Sequence, residues 1–478
     1  MTTPYWVAGA PATSEDVLEV RHPFDGRAVG ATSHATPEDV ERAVAAAHAV
    51  AGELAGAPAY VRAEALALVS RRLDERAEDV ARLITAESGK PVKWARLEVA
   101  RAVSTFRWAG EEARRWSGAL QRLDTDTSSA GRIALVRRVP RGPILAITPF
   151  NFPLNLVAHK VAPALAVGAP VVVKPAPATP LVSLLLAEIL AETSLPAGSW
   201  SVLPLPNEVA GRLVEDERLP VVSFTGSVPV GWSIRESAPR KHVTLELGGN
   251  AAVVVAPDYG GDTDLDWAAT RIATFSMYQA GQSCISVQRV FAHKDVYDDL
   301  AARVVKAVAD LATGDPCEDA TDVGPLIDEK AAARVESWVD EAVAGGARIL
   351  TGGTREGSTY APTVLEGVPT DAKVSCEEVF GPVVVLDRVD SVDDAFQRVN
   401  ASRFGLQAGV FTRDVQTAFR AARVLEVGGV IVGDVPSYRA DQMPYGGVKD
   451  SGVGREGVQA AMHDLTEERV LVLTGVEL

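Results

Sequence analysis

Short apolar runs alternate with longer amphipathic stretches from about residue 144 onward. Short runs rich in Val, Ile and Leu are typical of buried strands, whereas amphipathic stretches of about ten residues or more are typical of helices. The βαβα order predicts an open parallel sheet covered by helices on both faces. In this first series, strands are predicted at 144–147, 171–173, 200–205, 221–224 and 243–247, and helices at 154–167 and 179–190.

A second series with the same alternation begins near residue 251. A chain of 478 residues exceeds what one hydrophobic core usually holds, so more than one domain is expected. The fold class is therefore predicted to be α/β, with two open α/β units. Strands of the second series are predicted at 251–256, 287–292, 347–350, 383–386 and 410–412.

The segment before the first series predicts helices at 36–51, 59–87 and 91–115. Thr36 and Pro37 suit the cap and first turn of the first helix. Two other segments, 132–139 and 469–473, are typical of edge strands. Exposed strand edges normally need covering, so pairing across a subunit boundary is expected there.

Composition excludes several classes of partner. The formal net charge of −16 disfavours nucleic acid and anionic membrane surfaces. No apolar stretch is long enough for a transmembrane helix, and the N-terminus lacks the pattern of a secretory signal. Three cysteines are too few for a disulfide framework, and no Cys/His spacing indicates a metal site. A cytoplasmic protein without a structural metal is expected.

Cys284 is the leading candidate for chemistry, in a Gly-Gln-x-Cys context. A thiolate can attack an aldehyde to give a thiohemiacetal, and loss of hydride from that adduct leaves a thioester. The alternative for any lone cysteine is a small buried hydrophobe. We keep that alternative for Cys317 and Cys376, and the motif favours a nucleophile at Cys284.

Two further residues fit the same reaction. Glu246 precedes a glycine pair, which leaves room for the water that a base must activate against a thioester. The alternative is a solvated glutamate at a strand end. Asn151 could donate its amide to the developing oxyanion, together with the backbone N–H of Cys284. It could equally cap a helix in which Pro153 occupies the first turn, and the sequence leaves both options open.

The cofactor motifs are less specific. Gly226 and Ser227 follow a predicted strand and open a predicted helix that contains Gly231. A helix N-terminus there would bind a pyrophosphate, although the usual G-x-G-x-x-G fingerprint is absent. Lys174 ends a predicted strand, where a nucleotide ribose often lies in open α/β sheets. A solvated lysine is the alternative.

These motifs occur in one order along the chain, and together they resemble the aldehyde dehydrogenase superfamily from about residue 15 to 475. Two more segments add to the resemblance, Glu-Val-Phe-Gly-Pro at 378–382 and Pro-Tyr-Gly-Gly-Val-Lys at 444–449. The resemblance implies oxidation of an aldehyde to a carboxylic acid with NAD or NADP. The segments near Cys284 and Tyr445 look most like a lactaldehyde- or glyceraldehyde-phosphate-like subgroup.

The resemblance also implies roles and domain limits. Cys284 would be the nucleophile, Glu246 the general base and Asn151 the oxyanion donor. A Rossmann-like NAD(P)-binding domain would comprise 1–119 and 141–249, and a catalytic domain 250–435. A small β oligomerisation element and C-terminal segment would comprise 120–140 and 436–478, in a homodimer or homotetramer. Cofactor contacts are implied for Thr148, Pro149, Phe150, Lys174, Ala176, Gly226, Ser227, Gly231, Leu247, Gly248, Glu378 and Phe380.

Three departures from the family pattern bear on specificity. Pro177 stands where NAD-preferring members often carry a glutamate, so NADP is admissible and the preference stays open. Ser283 and Phe152 stand where relatives that oxidise phosphorylated or phosphonylated aldehydes carry Arg and His. An uncharged or weakly polar aldehyde is therefore expected. Other side chains considered for the substrate tunnel are Arg101, Arg107, Trp108, Phe150, Ile285 and Tyr438.

Three alternatives remain. A phosphorylated aldehyde such as glyceraldehyde 3-phosphate would require another cation in place of the missing arginine. A CoA-acylating semialdehyde dehydrogenase usually lacks the general base, so Glu246 argues against it. A catalytically silent relative would not need both Cys284 and Glu246.

Overall fold

The computed structural model describes residues 2–476, and two large sheets dominate it. The first sheet has eight strands, and its five central strands run parallel. Its central runs are buried on both faces, as the continuous apolar sequence predicts. In spatial order the strands are Ala10–Ala12, Tyr5–Val7, Trp200–Val202, Val171–Lys174, Ile144–Ile147, Val221–Thr225, His242–Glu246 and Gly452–Val453.

Helices pack around this sheet. Thr36 caps the first helix as predicted, since its side-chain oxygen accepts a hydrogen bond from the Asp39 N–H. The single helix predicted at 59–87 is wrong, because the chain turns at Arg76 and forms two helices. The helices of this part are Pro37–Gly56, Ala59–Glu75, Ala77–Ser88, Val92–Arg115, Asn155–Val167, Leu181–Leu190, Asn207–Glu215 and Val228–Ser237.

The second sheet has seven strands and its own core. All its neighbouring strands are parallel except the edge pair Arg348–Thr351 and Thr363–Glu366. The spatial order is Arg348–Thr351, Thr363–Glu366, Val383–Val389, Arg289–His293, Ala252–Val255, Gln407–Phe411 and Gly429–Val432. The remaining helices are Asp262–Met277, Lys294–Ala309, Glu329–Ala344, Lys373–Cys376, Val392–Asn400, Val415–Val424 and Val458–Asp464.

A three-stranded antiparallel sheet joins the two segments predicted as edge strands. Arg132–Pro140 is its central strand, so the prediction of an edge strand at 132–139 is wrong. Thr466–Thr474 pairs along its whole length, and Ala119–Arg122 lies on the other side. Pairing within the chain satisfies both sides of the central strand only, and each outer strand keeps one open edge. Several apolar side chains of this sheet also stay exposed: Leu120, Leu135, Val470, Leu471 and Val472.

The fold predicted from the apolar pattern is thus confirmed as α/β with two open sheets. The first sheet uses residues 5–12, 144–246 and 452–453, and the second uses residues 252–432. The domain limits given above stay a prediction. Within residues 2–476, no helix combines the length and apolar character needed to cross a membrane.

Candidate active site

The carboxyl ends of the parallel strands in the first sheet open into a cavity of about 870 Å³. Open α/β sheets bind ligands at this edge, outside the ends of the strands. The cavity brings together Cys284, Glu246 and Asn151, which are far apart in sequence. Of the predicted cofactor residues, the cavity wall includes Thr148, Pro149, Phe150, Lys174, Ala176, Gly226, Ser227, Leu247, Gly248, Glu378 and Phe380.

Gly231 is the exception among the predicted cofactor residues, because it is not part of the cavity wall. It is buried in the helix Val228–Ser237, behind Leu247. A Cβ atom at Gly231 would lie 2.4 Å from Leu247 Cδ2. A glycine at this position therefore lets the helix pack closely against Leu247, and it does not contact the cavity directly.

A strained loop presents Cys284. Gln279 and Ala280 both have φ of 53°, a left-handed conformation that is uncommon for residues with a side chain. Gly281 continues it with φ of 67°, and a Cβ there would lie 2.0 Å from the carbonyl oxygen of Gly381. The glycine of the Gly-Gln-x-Cys motif is thus required by the close approach of two backbones. Such strain concentrates at functional sites.

The Cys284 thiol lies between apolar and polar neighbours. Ile285 and Leu406 pack against it, and its Sγ is 3.0 Å from the hydroxyl of Tyr445. Burial raises the pKa of Cys284 to about 12, and the hydrogen bond from Tyr445 opposes that rise. The negative charge of Glu378 raises the pKa further. Activation of this thiol therefore depends on groups that stabilise the thiolate.

Glu246 ends the strand His242–Glu246 and is buried. Neither of its carboxylate oxygens has a hydrogen-bond partner among the described residues. Burial raises its pKa well above the ordinary value, and the nearby Glu456 adds to that effect. A buried carboxylate with both oxygens unpaired has the capacity to accept a proton from a water molecule in the cavity.

Asn151 is held against the loop that carries Cys284. Its side-chain Nδ2 donates to the carbonyl oxygen of Gln282 at 3.0 Å, and its own carbonyl accepts a hydrogen bond from the Gln279 amide. The following helix begins at Asn155 with Leu154 as its cap residue. Asn151 is therefore not a helix cap, and that alternative is wrong.

The other end of the cavity offers polar groups suited to a dinucleotide. Lys174 Nζ donates to Asn207 Oδ1 at 2.8 Å, and burial lowers the pKa of Lys174 to about 8. Glu378 accepts a hydrogen bond from the Gly249 N–H at 3.1 Å, and burial raises its pKa to about 7. The sequence pattern gave no signal for Asn207, which reaches the site from a separate helix.

Shape and helix geometry also fit NAD(P). Ser227 precedes the helix Val228–Ser237, and its side chain makes no capping hydrogen bond. The free N–H groups of that first turn therefore remain available to an anion. A Cβ at Gly248 would lie 2.1 Å from Glu378 Oε2, so only glycine allows the carboxylate to reach this wall. Pro177, also in the wall, is exposed and uncharged.

Sequence reasoning missed a buried charge cluster beside the catalytic candidates. Arg439 Nη2 donates to Glu456 Oε2 at 3.1 Å, and Lys160 Nζ donates to Glu456 Oε1 at 3.1 Å. Burial would raise the pKa of Glu456, but the two cations outweigh it and lower the pKa to about 2. The guanidinium of Arg439 lies 3.8 Å from the centre of the Tyr445 ring.

The two arginines considered for the substrate tunnel differ in burial and in their partners. Arg101 Nη2 donates to Asp441 Oδ1 at 3.0 Å and is partly buried, whereas Arg107 is exposed. His159 is buried, with its Nε2 3.3 Å from the same Asp441 oxygen. Burial lowers the pKa of His159 to about 4, so the ring is neutral at pH 7.

Among residues 2–476, one cluster of metal-ligating side chains lies outside the cavity. His22, Asp315 and Cys317 approach one another there, with His22 Nε2 3.8 Å from the Cys317 sulfur. Arg27 donates to the same sulfur at 3.3 Å. The Cys317 sulfur thus accepts a hydrogen bond from the Arg27 guanidinium, and hydrogen bonding accounts for the close approach of these side chains.

Comparison with known proteins is decisive for the family. Residues 6–471 match the model of the aldehyde dehydrogenase family. The chain belongs to the aldehyde dehydrogenase family. A 3-sulfolactaldehyde dehydrogenase of Priestia aryabhattai is 43% identical to it, over 98% of this chain and 97% of the relative.

Solved structures of other aldehyde dehydrogenases superpose closely. Aldehyde dehydrogenase 21 of Physcomitrella patens, in complex with the reaction product succinate, has a TM-score of 0.97 and 44% identity, covering 99% of this chain and 98% of that one. The NADP-dependent glyceraldehyde-3-phosphate dehydrogenase of Bacillus halodurans C-125, complexed with NADP, has a TM-score of 0.95 and 35% identity, with each chain covered fully at 100%. The protein is an NAD(P)-dependent aldehyde dehydrogenase.

Proposed function

We propose that this aldehyde dehydrogenase oxidises a short aldehyde with a distal anionic group to the corresponding carboxylic acid, through a covalent intermediate on Cys284. The observation that carries the anionic part is Arg439, a buried cation stacked on the tyrosine that contacts the Cys284 sulfur. The covalent part is supported by the cavity, which contains a thiol, an unpaired buried carboxylate and an amide donor.

In the first step, the Cys284 thiolate attacks the aldehyde carbon and forms a C–S bond. The carbonyl π electrons move to oxygen, which becomes an oxyanion. The Asn151 amide lies against the Cys284 loop, and with the Cys284 N–H it would donate hydrogen bonds to that oxygen. Donors already fixed before the reaction need no reorganisation as the charge develops.

Bound NAD(P)⁺ would supply the hydride acceptor that converts the thiohemiacetal to a thioester. Lys174 and Glu378 would hold the ribose hydroxyls, and the helix that Ser227 precedes would bind the pyrophosphate. Phe380 packs edge-on against Phe150, with ring centres 5.9 Å apart, and would fix one face of the nicotinamide position.

In the last step, Glu246 would accept a proton from water as the water oxygen attacks the thioester. The C–S bond breaks, its electron pair returns to sulfur, and the acid leaves. Glu246 supports hydrolysis over transfer to CoA, because a thiol acceptor such as CoA needs no carboxylate to activate water.

The anionic substrate class departs from the expectation based on Ser283. Arg439 is nearly fully buried, with 5% of its side chain exposed, and its Nε has no hydrogen-bond partner among the described residues. An unpaired buried donor is costly unless a ligand satisfies it. The names of three relatives point the same way, since sulfolactaldehyde, the product succinate and glyceraldehyde 3-phosphate all carry a second, anionic group.

The test compares aldehydes matched in length, such as succinic semialdehyde and its methyl ester, with NAD⁺ and NADP⁺ in parallel. We expect kcat/KM to favour the charged aldehyde by about 10²-fold, as for hydrogen bonds to a charged group worth about 1.5–3 kcal/mol. Arg439→Gln should remove that preference, and Arg107→Gln, at an exposed arginine, should keep it. Equal kcat/KM for both aldehydes in the wild type would contradict the anionic assignment.

We also propose that the exposed outer strand Thr466–Thr474 of the three-stranded sheet joins two subunits. Val470, Leu471 and Val472 are each about half exposed on the outer strand, and an exposed apolar edge strand invites pairing. Replacing Val470 and Val472 by Lys should convert the oligomer to monomer in sedimentation velocity.

The cysteines are all free thiols, which supports a reducing, cytoplasmic compartment.

A further inference from the structure

Tyr445 lies in a fixed position beside the nucleophile. Its side chain is buried, with its ring face against the Arg439 guanidinium. Its backbone N–H donates to the Glu456 carbonyl oxygen at 3.0 Å, and the Glu456 N–H donates back at 2.7 Å. These contacts hold the ring from two sides, so the position of the hydroxyl is set before any substrate binds.

The Tyr445 hydroxyl points at sulfur and is 3.0 Å from Cys284 Sγ. A neutral phenol has one O–H to donate, and a thiolate can only accept. The neighbouring, partly buried Tyr278 does not compete for this role, because its hydroxyl donates to Ser283 Oγ at 3.0 Å. Tyr445 is therefore placed to donate a hydrogen bond to the thiolate.

The charged groups around the sulfur oppose one another. Glu378 and Glu246 disfavour the thiolate, and Arg439 favours it. Arg439 is itself paired with Glu456, which weakens its net field at the sulfur. A hydrogen bond from a neutral donor also stabilises the thiolate. Because this donor carries no charge, a nearby carboxylate does not cancel its effect as Glu456 weakens that of Arg439.

We propose that Tyr445 is a fourth catalytic residue, whose hydroxyl donates to the Cys284 thiolate before attack and again when sulfur leaves the acyl group. This inference rests on the proposed covalent role of Cys284. In deacylation, water adds to the thioester, the C–S bond breaks and the electron pair returns to Sγ. The Tyr445 hydroxyl lies where that negative charge reappears.

Two features of the site support a specific role for the hydroxyl. The ring alone would fill the space between Arg439 and the apolar contacts of Cys284, which include Ile285 and Leu406. Phenylalanine would keep that packing and remove only the donor. Burial, with the nearby Cys284, also raises the pKa of Tyr445 well above its ordinary value, so the phenol stays protonated over the working pH range.

The experiment measures the thiolate directly, without aldehyde or cofactor. Wild-type enzyme and Tyr445→Phe are alkylated with iodoacetamide across a pH series, and modification of Cys284 is followed by peptide mass spectrometry. We expect the pH midpoint of Cys284 alkylation to rise by about one unit or more in Tyr445→Phe. At every pH below the midpoint, the alkylation rate of Cys284 should then be about tenfold lower than in the wild type, because that rate is proportional to the thiolate fraction. Cys317 and Cys376 serve as internal references with unchanged profiles.

Tyr278→Phe is the matched control, because it removes a partly buried hydroxyl next to the same loop that makes no hydrogen bond to the sulfur. Its alkylation midpoint should equal that of the wild type. A second variant carries 3-fluorotyrosine at position 445, which is a stronger donor of nearly the same size. It should shift the midpoint downward, so the proposal remains testable if Tyr445→Phe folds poorly.

An unchanged midpoint in Tyr445→Phe or with 3-fluorotyrosine would overturn the role of Tyr445. That result is independent of turnover. If instead the midpoints shift as expected but wild-type enzyme oxidises no aldehyde, the proposed function fails and the hydrogen bond stands. The two failures are thus distinguishable in the same set of proteins.

Discussion

Replacement of Glu246 by Gln gives the sharpest test of the hydrolytic step. The carboxylate is buried and makes no hydrogen bond to the described residues, so Gln of equal size breaks no existing contact. It also removes a buried acid whose pKa burial raises. The variant should therefore fold with wild-type stability, and any loss of rate should be chemical.

The expected size of that loss follows from the role of a general base. Such a base contributes about 10²–10⁴-fold, or about 3–5 kcal/mol at 1.36 kcal/mol per tenfold. Acylation does not use Glu246 to activate water, so it should proceed in Glu246→Gln. The variant should form one equivalent of reduced cofactor rapidly and then almost stop, because the thioester accumulates on Cys284.

The assay is stopped-flow absorbance of the reduced cofactor at saturating aldehyde, followed by intact-protein mass of the quenched enzyme. Hydroxylamine, which cleaves thioesters without a general base, should restore turnover and yield the hydroxamate. Glu377→Gln is the control, because the Glu377 carboxylate is only partly buried and pairs with Arg403 on the surface. Its burst and steady state should match the wild type.

The pH dependence gives an independent check on the same residue. Only the ionised carboxylate can accept a proton, and burial raises the pKa of Glu246 above its ordinary value. The deacylation rate of the wild type should therefore fall as pH drops through that raised pKa. In Glu246→Gln the residual rate should lose this inflection. Wild-type steady-state turnover in Glu246→Gln, with no burst, would refute the assignment of Glu246 as the base.

Three other changes test separate parts of the structure. Asn151→Ala should lower kcat by about 10²–10³-fold, since it removes one oxyanion donor, and should change cofactor affinity little. Steady-state kinetics and fluorescence titration measure the two quantities, and an unchanged kcat would contradict the role of Asn151. Pro177→Glu should reduce kcat/KM for NADP⁺ roughly fivefold to tenfold, because the new carboxylate repels the 2′-phosphate, and should leave kcat/KM for NAD⁺ unchanged. Equal effects on the two cofactors would place Pro177 away from the ribose. Glu98 pairs with Lys90 in the core and accepts the N–H groups of Leu154 and Asn155. Glu98→Ala should therefore lower the free energy of unfolding by about 3–5 kcal/mol in urea denaturation, because it leaves a buried lysine unpaired, and a loss below about 1 kcal/mol would show that the pair is dispensable.

Some failures of the sequence predictions have a local cause. Residues 59–87 contain no glycine or proline that would mark a break, yet the chain turns at Arg76 so that Val80 and Ile84 can enter the core. The alternating pattern at 132–139 predicts a strand but cannot show how many neighbours it has. Both outcomes depend on packing partners from distant segments, which local propensity does not encode.

The sequence alone determined the five parallel strands of the first sheet, five strands of the second and the three catalytic candidates, because each depends on local constraints. Continuous apolar runs specify strands buried on both faces. Gly281 and Gly248 are needed where a Cβ would collide with Gly381 or Glu378, so the motifs around Cys284 and Glu246 are visible in the chain itself.

Only the tertiary structure decided what surrounds those groups. Lys160 lies in the helix Asn155–Val167, whereas Arg439, Tyr445 and Glu456 lie in the C-terminal segment. They meet only when that segment folds onto the first sheet. Whether such a residue pairs with a carboxylate, contacts the thiol or faces a ligand depends on distances of a few ångströms. Burial then sets the strength of each interaction, because water no longer screens the charges.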